Sequence, residues 1–219
     1  MVVSPATGGK TKSTTRLDRR KARTRQALID AAVRLIAQGR GERASVQEIT
    51  EEADIGFGSF YNHFESKELL FETASSEILE RWGRMIDQAT AHVTDPAEIF
   101  SVSLRLSGRL SWTHPEVAGF ITGAGFDLLD LEEGLAPRAL RDIRAGQVAG
   151  QFTVVDAEVA LGAVAGGLIG LLRLHQRDPE RGETSTVDDL AEACLRLLGL
   201  PPAKARRLSR LPLAETPSW

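Results

Sequence analysis

Residues 45–70, SVQEITEEADIGFGSFYNHFESKELL, constrain the fold more than any other stretch: two short helices and the start of a third fit there comfortably only as a helix-turn-helix. Ser45 with Glu48 three residues on forms a capping box, so a helix opens there and carries Val46, Ile49 and Ala53 on one face. It stops almost at once. Asp54 tolerates the left-handed turn conformation, and Gly56 and Gly58 each disfavour a helix interior by about 1 kcal/mol relative to Ala, which puts the turn at 54–56. What resumes is short and aromatic. Phe57, Phe60, Tyr61 and Phe64 spread too far round a helix to face one small core, so some must point outward. A helix presenting Phe57, Ser59, Tyr61, Asn62 and His63 offers donors, acceptors and an apolar patch, the inventory for reading a DNA groove. Phe60 and Phe64 are assigned to the core, because buried aromatics hold so small a domain together.

The net charge of -3 hides an asymmetry. Up to Arg40 the chain has ten basic residues against Asp18 and Asp30, a local charge of +8; the remainder, with 17 basic and 28 acidic residues, carries -11. A basic end on an acidic body points to a polyanion at that end, although a solvated basic arm has the same composition. Cys194 is the single cysteine, so no disulfide forms within one chain and a reducing, cytoplasmic setting is expected. The start of the chain lacks the apolar stretch of a secretory signal. The longest uncharged run, 159–172, has 14 residues against the roughly 20 that span a bilayer, so no membrane association is expected.

Ala, Leu, Arg and Glu fill the long segments and no β-branched alternation stands out, so the expected class is all-α, with about nine helices. Leu28, Ala31, Ala32, Leu35 and Ile36 predict a first helix of roughly six turns from Arg16, stopped by Gly39 and Gly41. Ser66 caps a long helix to about Ala91, and Asp95, Pro96 and Glu98 open another that runs through Leu110 toward Trp112. Pro115 starts a shorter helix, 123–134 is looser, and a further helix runs from Leu135 to Val148. Asp156 and Glu158 front a helix that Arg173, His175 and Arg177 close, and Thr186 with Asp189 caps the last one, through Leu198. The expected division is a flexible basic arm at 1–15, a DNA-binding domain at 16–65, a helical body at 66–199 and a frayed tail or short basic turn at 200–219.

The basic first helix with Thr24 and Arg25, followed by Ile49, Ala53, Gly58, Tyr61, His63, Phe64, Ser66, Lys67 and Leu69, resembles the TetR family of bacterial transcriptional regulators over about residues 16–71. The resemblance implies a three-helix DNA-binding domain, a helical body that binds a small-molecule effector, and a homodimer that sets two recognition helices on a palindromic double-stranded DNA operator. It assigns phosphate contacts to Tyr61, His63 and Lys67, further backbone contacts to Ser45 and Thr50, and the places nearest the base edges to Phe57, Gly58 and Ser59, with Phe57 suited to a thymine methyl. Three positions depart from the family pattern. Asp54 stands where Gly is frequent, Gly56 where Ser or Thr often caps the recognition helix, and Thr50 where Ala often follows Ile.

In the body, the resemblance suggests an apolar effector pocket among Trp82, Met85, Phe100, Leu104, Trp112, Phe120 and Phe126, with Arg109, Thr122 and Asp127 as candidate polar groups. It also places the dimer bundle in the last two long helices. Gly162, Gly166 and Gly170, spaced by four, make a ridge for close helix approach, and the expected interface joins it to a face with Leu190, Cys194, Leu197 and Leu198. No catalytic or zinc constellation is present: Gly56, Gly58 and Ser59 follow no strand and close no phosphate loop, and His92, His114 and His175 lie far apart without cysteine pairs. No cofactor or metal is therefore expected. The expectation is an effector-responsive repressor. An activator of the same fold, a nonspecific DNA-coating protein, and an all-α enzyme or carrier that kept the helix-turn-helix are the alternatives.

Overall fold

The computed structural model describes residues 16–181 and 184–213. The arm expected at 1–15 and the last six residues of the tail lie outside the described residues. Nine α-helices of seven residues or more, and no strand, are found among those described.

Helix α1 (Arg16–Ala37) buries Leu28, Ile29, Ala32 and Leu35 and ends where Gly39 takes φ +70°. Helix α2 (Val46–Glu52) has the capping box in both directions: Ser45 Oγ accepts from the Glu48 amide at 3.2 Å, and Glu48 accepts from the Ser45 amide at 2.8 Å. Asp54 then adopts φ +53°, alone among the described non-glycine residues in the left-handed region. The next segment, Phe57–Asn62, is a 3-10 helix rather than an α-helix. Only six residues separate Gly56 from His63, two glycines weaken α-helical winding, and the tighter turn still drives Phe60 fully into the core. Helix α3 (Lys67–Thr90), capped by Ser66 Oγ on the Leu69 amide at 3.2 Å, leaves the N-terminal helix-turn-helix and crosses the body.

Asp95 caps α4 (Pro96–Gly108), which ends earlier than expected; a short turn, α5 (Leu110–Thr113), follows. Gly108 lets Val187 approach so closely that a methyl group there would stand 2.7 Å from its Cγ1, which places the last turn of α4 hard against the C-terminal helices. Helix α6 (Pro115–Ala124) leads through a 3-10 segment (Gly125–Asp130) into α7 (Leu135–Val148). Asp156 Oδ1 caps α8 (Ala157–Arg177), and α9 (Thr184–Leu197) starts two residues before the expected Thr186. The tail is not frayed at 202–209. There α10 (Pro202–Ser209) buries Ala205 and Leu208, Ser101 Oγ donates to the Leu208 carbonyl at 3.1 Å, and Arg210 pairs with Asp189 at 2.6 Å.

Three apolar cores result. One, around Leu28, Ile49, Phe60, Phe64 and Leu70, holds the N-terminal helix-turn-helix to the start of α3. A second gathers Leu79, Trp82, Ile86, Leu110, Phe120 and Ile121, and a third Phe100, Ile143, Phe152, Val164, Leu195 and Leu208. The seam between the second and third contains the cavity described below.

Candidate nucleic-acid interface and effector cavity

In the helix-turn-helix the 3-10 segment turns Phe57 and Tyr61 outward, 54% and 60% exposed, while Phe60 and Phe64 are buried as expected. The Tyr61 ring packs edge-on against Phe57 and Phe60, with centroids 6.3 and 5.2 Å away, so its hydroxyl end is carried at the surface by a rigid aromatic stack. Gly58 and Asn62 are exposed, and Ser59 and His63 partly so. Ser45 is exposed, yet its hydroxyl is engaged with Glu48. Thr50 does not fit a DNA contact: it is 2% exposed and its hydroxyl donates to the Gln47 carbonyl at 2.9 Å, turning back into its own helix. Lys67 is half-buried and donates to the Ala44 carbonyl at 3.2 Å, tying α3 to the start of α2. Arg25 lies 4.9 Å over the Phe64 ring, so one cation of the basic α1 face is fixed to the same domain.

In the body, a cavity of about 100 Å³ lies between α3, α4, α6, α7, α8 and the 3-10 segment before α7. Leu79 and Ile86 come from α3, Phe100, Ser103, Leu104 and Ser107 from α4, Ile121 from α6, and Leu161, Val164, Ala165, Leu168 and Ile169 from α8. Helix α7 adds Leu135, Ala136 and Ala139 together with two charged groups, Arg138 and Asp142. The Asp142 residue is 6% exposed; burial pushes its carboxyl above the usual range, against the pull of Arg141, whose Nε donates to Oδ1 at 2.9 Å. The cavity is thus an apolar chamber with one carboxyl, one guanidinium and two hydroxyls on its wall.

Of the residues expected to line a pocket, Phe100 and Leu104 do, and the others do not. Trp82 and Phe120 are core residues; the Trp82 indole donates to Ser107 Oγ at 3.3 Å, directly behind the chamber wall. Met85 packs against the core beside them. Thr122 bonds to Gln176, Trp112 lies against His175 with ring centroids 5.4 Å apart, Asp127 is exposed, and Phe126, though exposed, lays its ring tip over Gly166 of α8. Arg109 sits near Arg105 and Asp188, away from the chamber, with its Nε buried and unbonded. Arg138 and Asp142 escaped sequence reasoning, although a signal existed. Leu135, Arg138, Ala139 and Asp142 recur at i, i+3, i+4 and i+7, and two charges inside an otherwise apolar stripe mark a polar group held in a chamber.

The glycine ridge also reads differently in three dimensions. Methyl groups built on Gly162 and Gly170 meet nothing within 4 Å, and one on Gly166 would stand 3.5 Å from Phe126 Cζ. The close approach within the chain is at Gly167, where a methyl group would be 3.0 Å from Leu190 Cδ1. Cys194 and Leu198 are buried in the protomer's own core, and Leu190 packs against it, so these three do not form an outer face; Leu197, 47% exposed, does. Among the described residues no group of three or more His, Cys, Asp or Glu could hold a metal ion.

The profile described as bacterial regulatory proteins of the tetR family matches residues 28–74, and that of the tetracyclin repressor-like C-terminal domain matches residues 95–210. The chain belongs to the TetR family. The crystal structure of RolR in complex with resorcinol is 33% identical, covers 91% of this chain and 99% of its own, and superposes with a TM-score of 0.71. RolR without ligand gives 33% identity, coverage of 88% and 100%, and a TM-score of 0.69. The fatty acid degradation regulator FadR from Bacillus halodurans, 20% identical over 81% of this chain and 97% of its own with a TM-score of 0.66, shares the fold. No curated protein matches the chain. This TetR-family member is therefore a transcriptional regulator by fold, with an N-terminal helix-turn-helix and a helical ligand-binding domain.

Proposed function

We propose that the protein is a dimeric, cytoplasmic repressor, released from its operator by a small, mostly apolar effector that carries one or two hydroxyl groups. The observation that carries this reading is the chamber whose wall includes Leu79 and Ile86 of α3, the helix that begins at the DNA-binding domain. An engineered 150 Å³ apolar cavity takes up benzene, so a chamber of about 100 Å³ suits a single ring or a comparably short molecule. The Asp142 carboxyl and the hydroxyls of Ser103 and Ser107 give such a ring polar handles, and RolR, a third identical, binds resorcinol. Occupation of the chamber shifts α3 and spoils the match to half-sites about 34 to 36 Å apart.

Dimerisation is supported by α8. It is 21 residues long and its most apolar 18-residue window has a mean hydropathy of 1.6, long and apolar enough by composition to cross a membrane, though its uncharged run is shorter. Only 28% of its most apolar window is buried within the protomer. Its outward side carries Val159, Gly162, Ala163, Gly166 and Gly170, and Ala193 and Leu197 of α9 are exposed as well. An apolar two-helix face of this kind fits the same face of a second copy.

Two measurements test the reading. Genomic fragments selected by the purified protein should share a palindromic site, and resorcinol should weaken binding to it by about 5- to 150-fold. Phe57→Ala and Ser59→Ala should change the preferred bases, each direct base contact being worth about 1–3 kcal/mol of discrimination. Equal affinity for operator and random duplex would instead establish a DNA-coating protein.

A further inference from the structure

Arg138 is not simply a polar group on the chamber wall. Its guanidinium reaches across to α3, where Nη1 and Nη2 pair with the two Glu80 carboxylate oxygens at 2.7 and 2.9 Å and Nε with Asp87 Oδ2 at 2.7 Å. Nη1 also donates to the Gly134 carbonyl, and the Gly134 amide donates to Glu80 Oε2 at 3.2 Å, so the start of α7 is held by the same carboxylate. Between the two acids lies Gly83. A methyl group there would stand 2.6 Å from the guanidinium carbon, so the Arg138 head lies directly on the α3 backbone in a slot that only glycine leaves open. Glu80, Gly83 and Asp87 recur at i, i+3 and i+7 and make one stripe, while Leu79 and Ile86, each one residue earlier, make the neighbouring stripe that faces the chamber.

The chamber's carboxyl joins the same network. Asp142 bonds Arg141, and Arg141 Nη2 bonds Asp87 Oδ1 at 3.1 Å, so two ion pairs link the chamber's carboxyl to α3. A molecule that enlarges the chamber by displacing α7 therefore carries α3 with it, through bonds set on the same two turns of α3 as Leu79 and Ile86. A tilt of about 5° there would move the Lys67 end, 16 residues away, by roughly 2 Å at 1.5 Å rise per residue. We propose that this clamp, Arg138 held by Glu80 and Asp87 over Gly83, sets how strongly occupation of the chamber is felt at the DNA-binding domain. Glu80, Gly83 and Asp87 are then coupling residues and not effector contacts. The proposal rests on the reading that an effector acts through α3.

The test compares wild type with Asp87→Asn and, separately, Gly83→Ala, whose methyl group pushes the guanidinium off the α3 backbone without altering charge. Resorcinol affinity is measured by calorimetry on the free protein, and operator affinity with and without saturating resorcinol. Both variants should keep resorcinol affinity and resorcinol-free operator affinity within about threefold, while the effect of resorcinol on operator binding falls from the wild-type value, within the usual 5- to 150-fold, to below about threefold. Undiminished coupling in both variants would overturn the proposal and point to α6, where Gly123 packs on Ile36 of α1. A tenfold loss of resorcinol affinity in Asp87→Asn would overturn it too, by making Asp87 a binding group. If wild-type operator binding ignores resorcinol, the effector reading fails, and the clamp is decided without ligand. Spin labels at Glu51→Cys and Val148→Cys, in labelled protein diluted into unlabelled, should give a broader distance distribution once Asp87→Asn or Gly83→Ala is added; an unchanged width would overturn the clamp.

Discussion

Glu80→Gln removes one carboxylate charge from the Arg138 clamp and leaves its shape. Hydrogen bonds from Arg138 hold the Glu80 carboxyl at about 2, against an ordinary 4.5. That gap corresponds to ~3 kcal/mol of preference for the charged, folded form. About a fifth of each side chain still meets water, 18% for Arg138 and 21% for Glu80, so screening brings the working figure to about 2 kcal/mol. The acid's value is lowered on folding, so its contribution is complete above 4.5 and is lost as the pH falls from there toward 2. Urea unfolding at pH 7 should therefore show Glu80→Gln less stable by about 2 kcal/mol, equivalent to roughly 4–8 °C in Tm for a chain of this size. At pH 4 most of the difference should remain, about 1.5 kcal/mol, and at pH 3 less than half, about 0.8 kcal/mol. A difference of the same size at pH 3 and pH 7 would refute the electrostatic account and leave only packing. A difference below about 0.5 kcal/mol at pH 7 would mean that the clamp is no stronger than an exposed ion pair.

Asp188→Ala leaves Arg105, which is 2% exposed and pairs Nε to Asp188 Oδ1 at 2.7 Å, a buried charge with only the Leu211 carbonyl to meet it, and should destabilise by about 3 kcal/mol in the same assay. Asp142→Leu should weaken resorcinol binding about tenfold in calorimetry, the loss of one hydrogen bond of about 1.4 kcal/mol. Gly166→Leu, whose Cβ meets Phe126 only at ordinary contact distance, should leave the circular dichroism unchanged and yield monomers in sedimentation; intact dimers would remove α8 from the interface. Burial pushes the Cys194 thiol up to about 11, so at pH 8 native protein should react with a disulfide reagent at least ~100-fold more slowly than urea-unfolded protein.

The elements that could be read from the chain were those whose cause is local. Ser45, Ser66, Asp95 and Asp156 each cap the helix expected of them, because a side-chain oxygen meets an amide two or three residues on whatever the rest of the chain does. Asp54 turns the chain for an equally local reason. What failed depended on distant partners. Thr50 falls on the inner side of α2 once that helix packs on α1, and Phe57–Asn62 winds tightly because Phe60 must reach the core. Pro202–Ser209 offers only Ala205 and Leu208 as apolar anchors, and its helix is held by α4 and α9 through Lys204–Asp95 and Arg206–Glu192. The chamber needs walls from five helices, so the aromatic side chains expected to line it, Trp82 and Phe120, are the packing behind it.

The same geometry sets the energy available to a switch. An empty apolar cavity destabilises a fold by about 24 cal/mol per Å³, so a chamber of about 100 Å³ leaves roughly 2 kcal/mol to be regained when a ligand fills it. That is the size of a typical coupling free energy, about 1–3 kcal/mol, and also the size of the Glu80 contribution to the clamp. A ligand that merely fills the chamber as it stands regains this energy in both positions of α3 and switches nothing. One slightly too large for the chamber as it stands regains all of it only when the walls move, and the Arg138 bonds to Glu80 and Asp87, of comparable strength, then carry α3 along with α7. Among ring compounds of graded size, affinity and release from DNA should therefore peak at different members, with the best binder smaller than the best inducer.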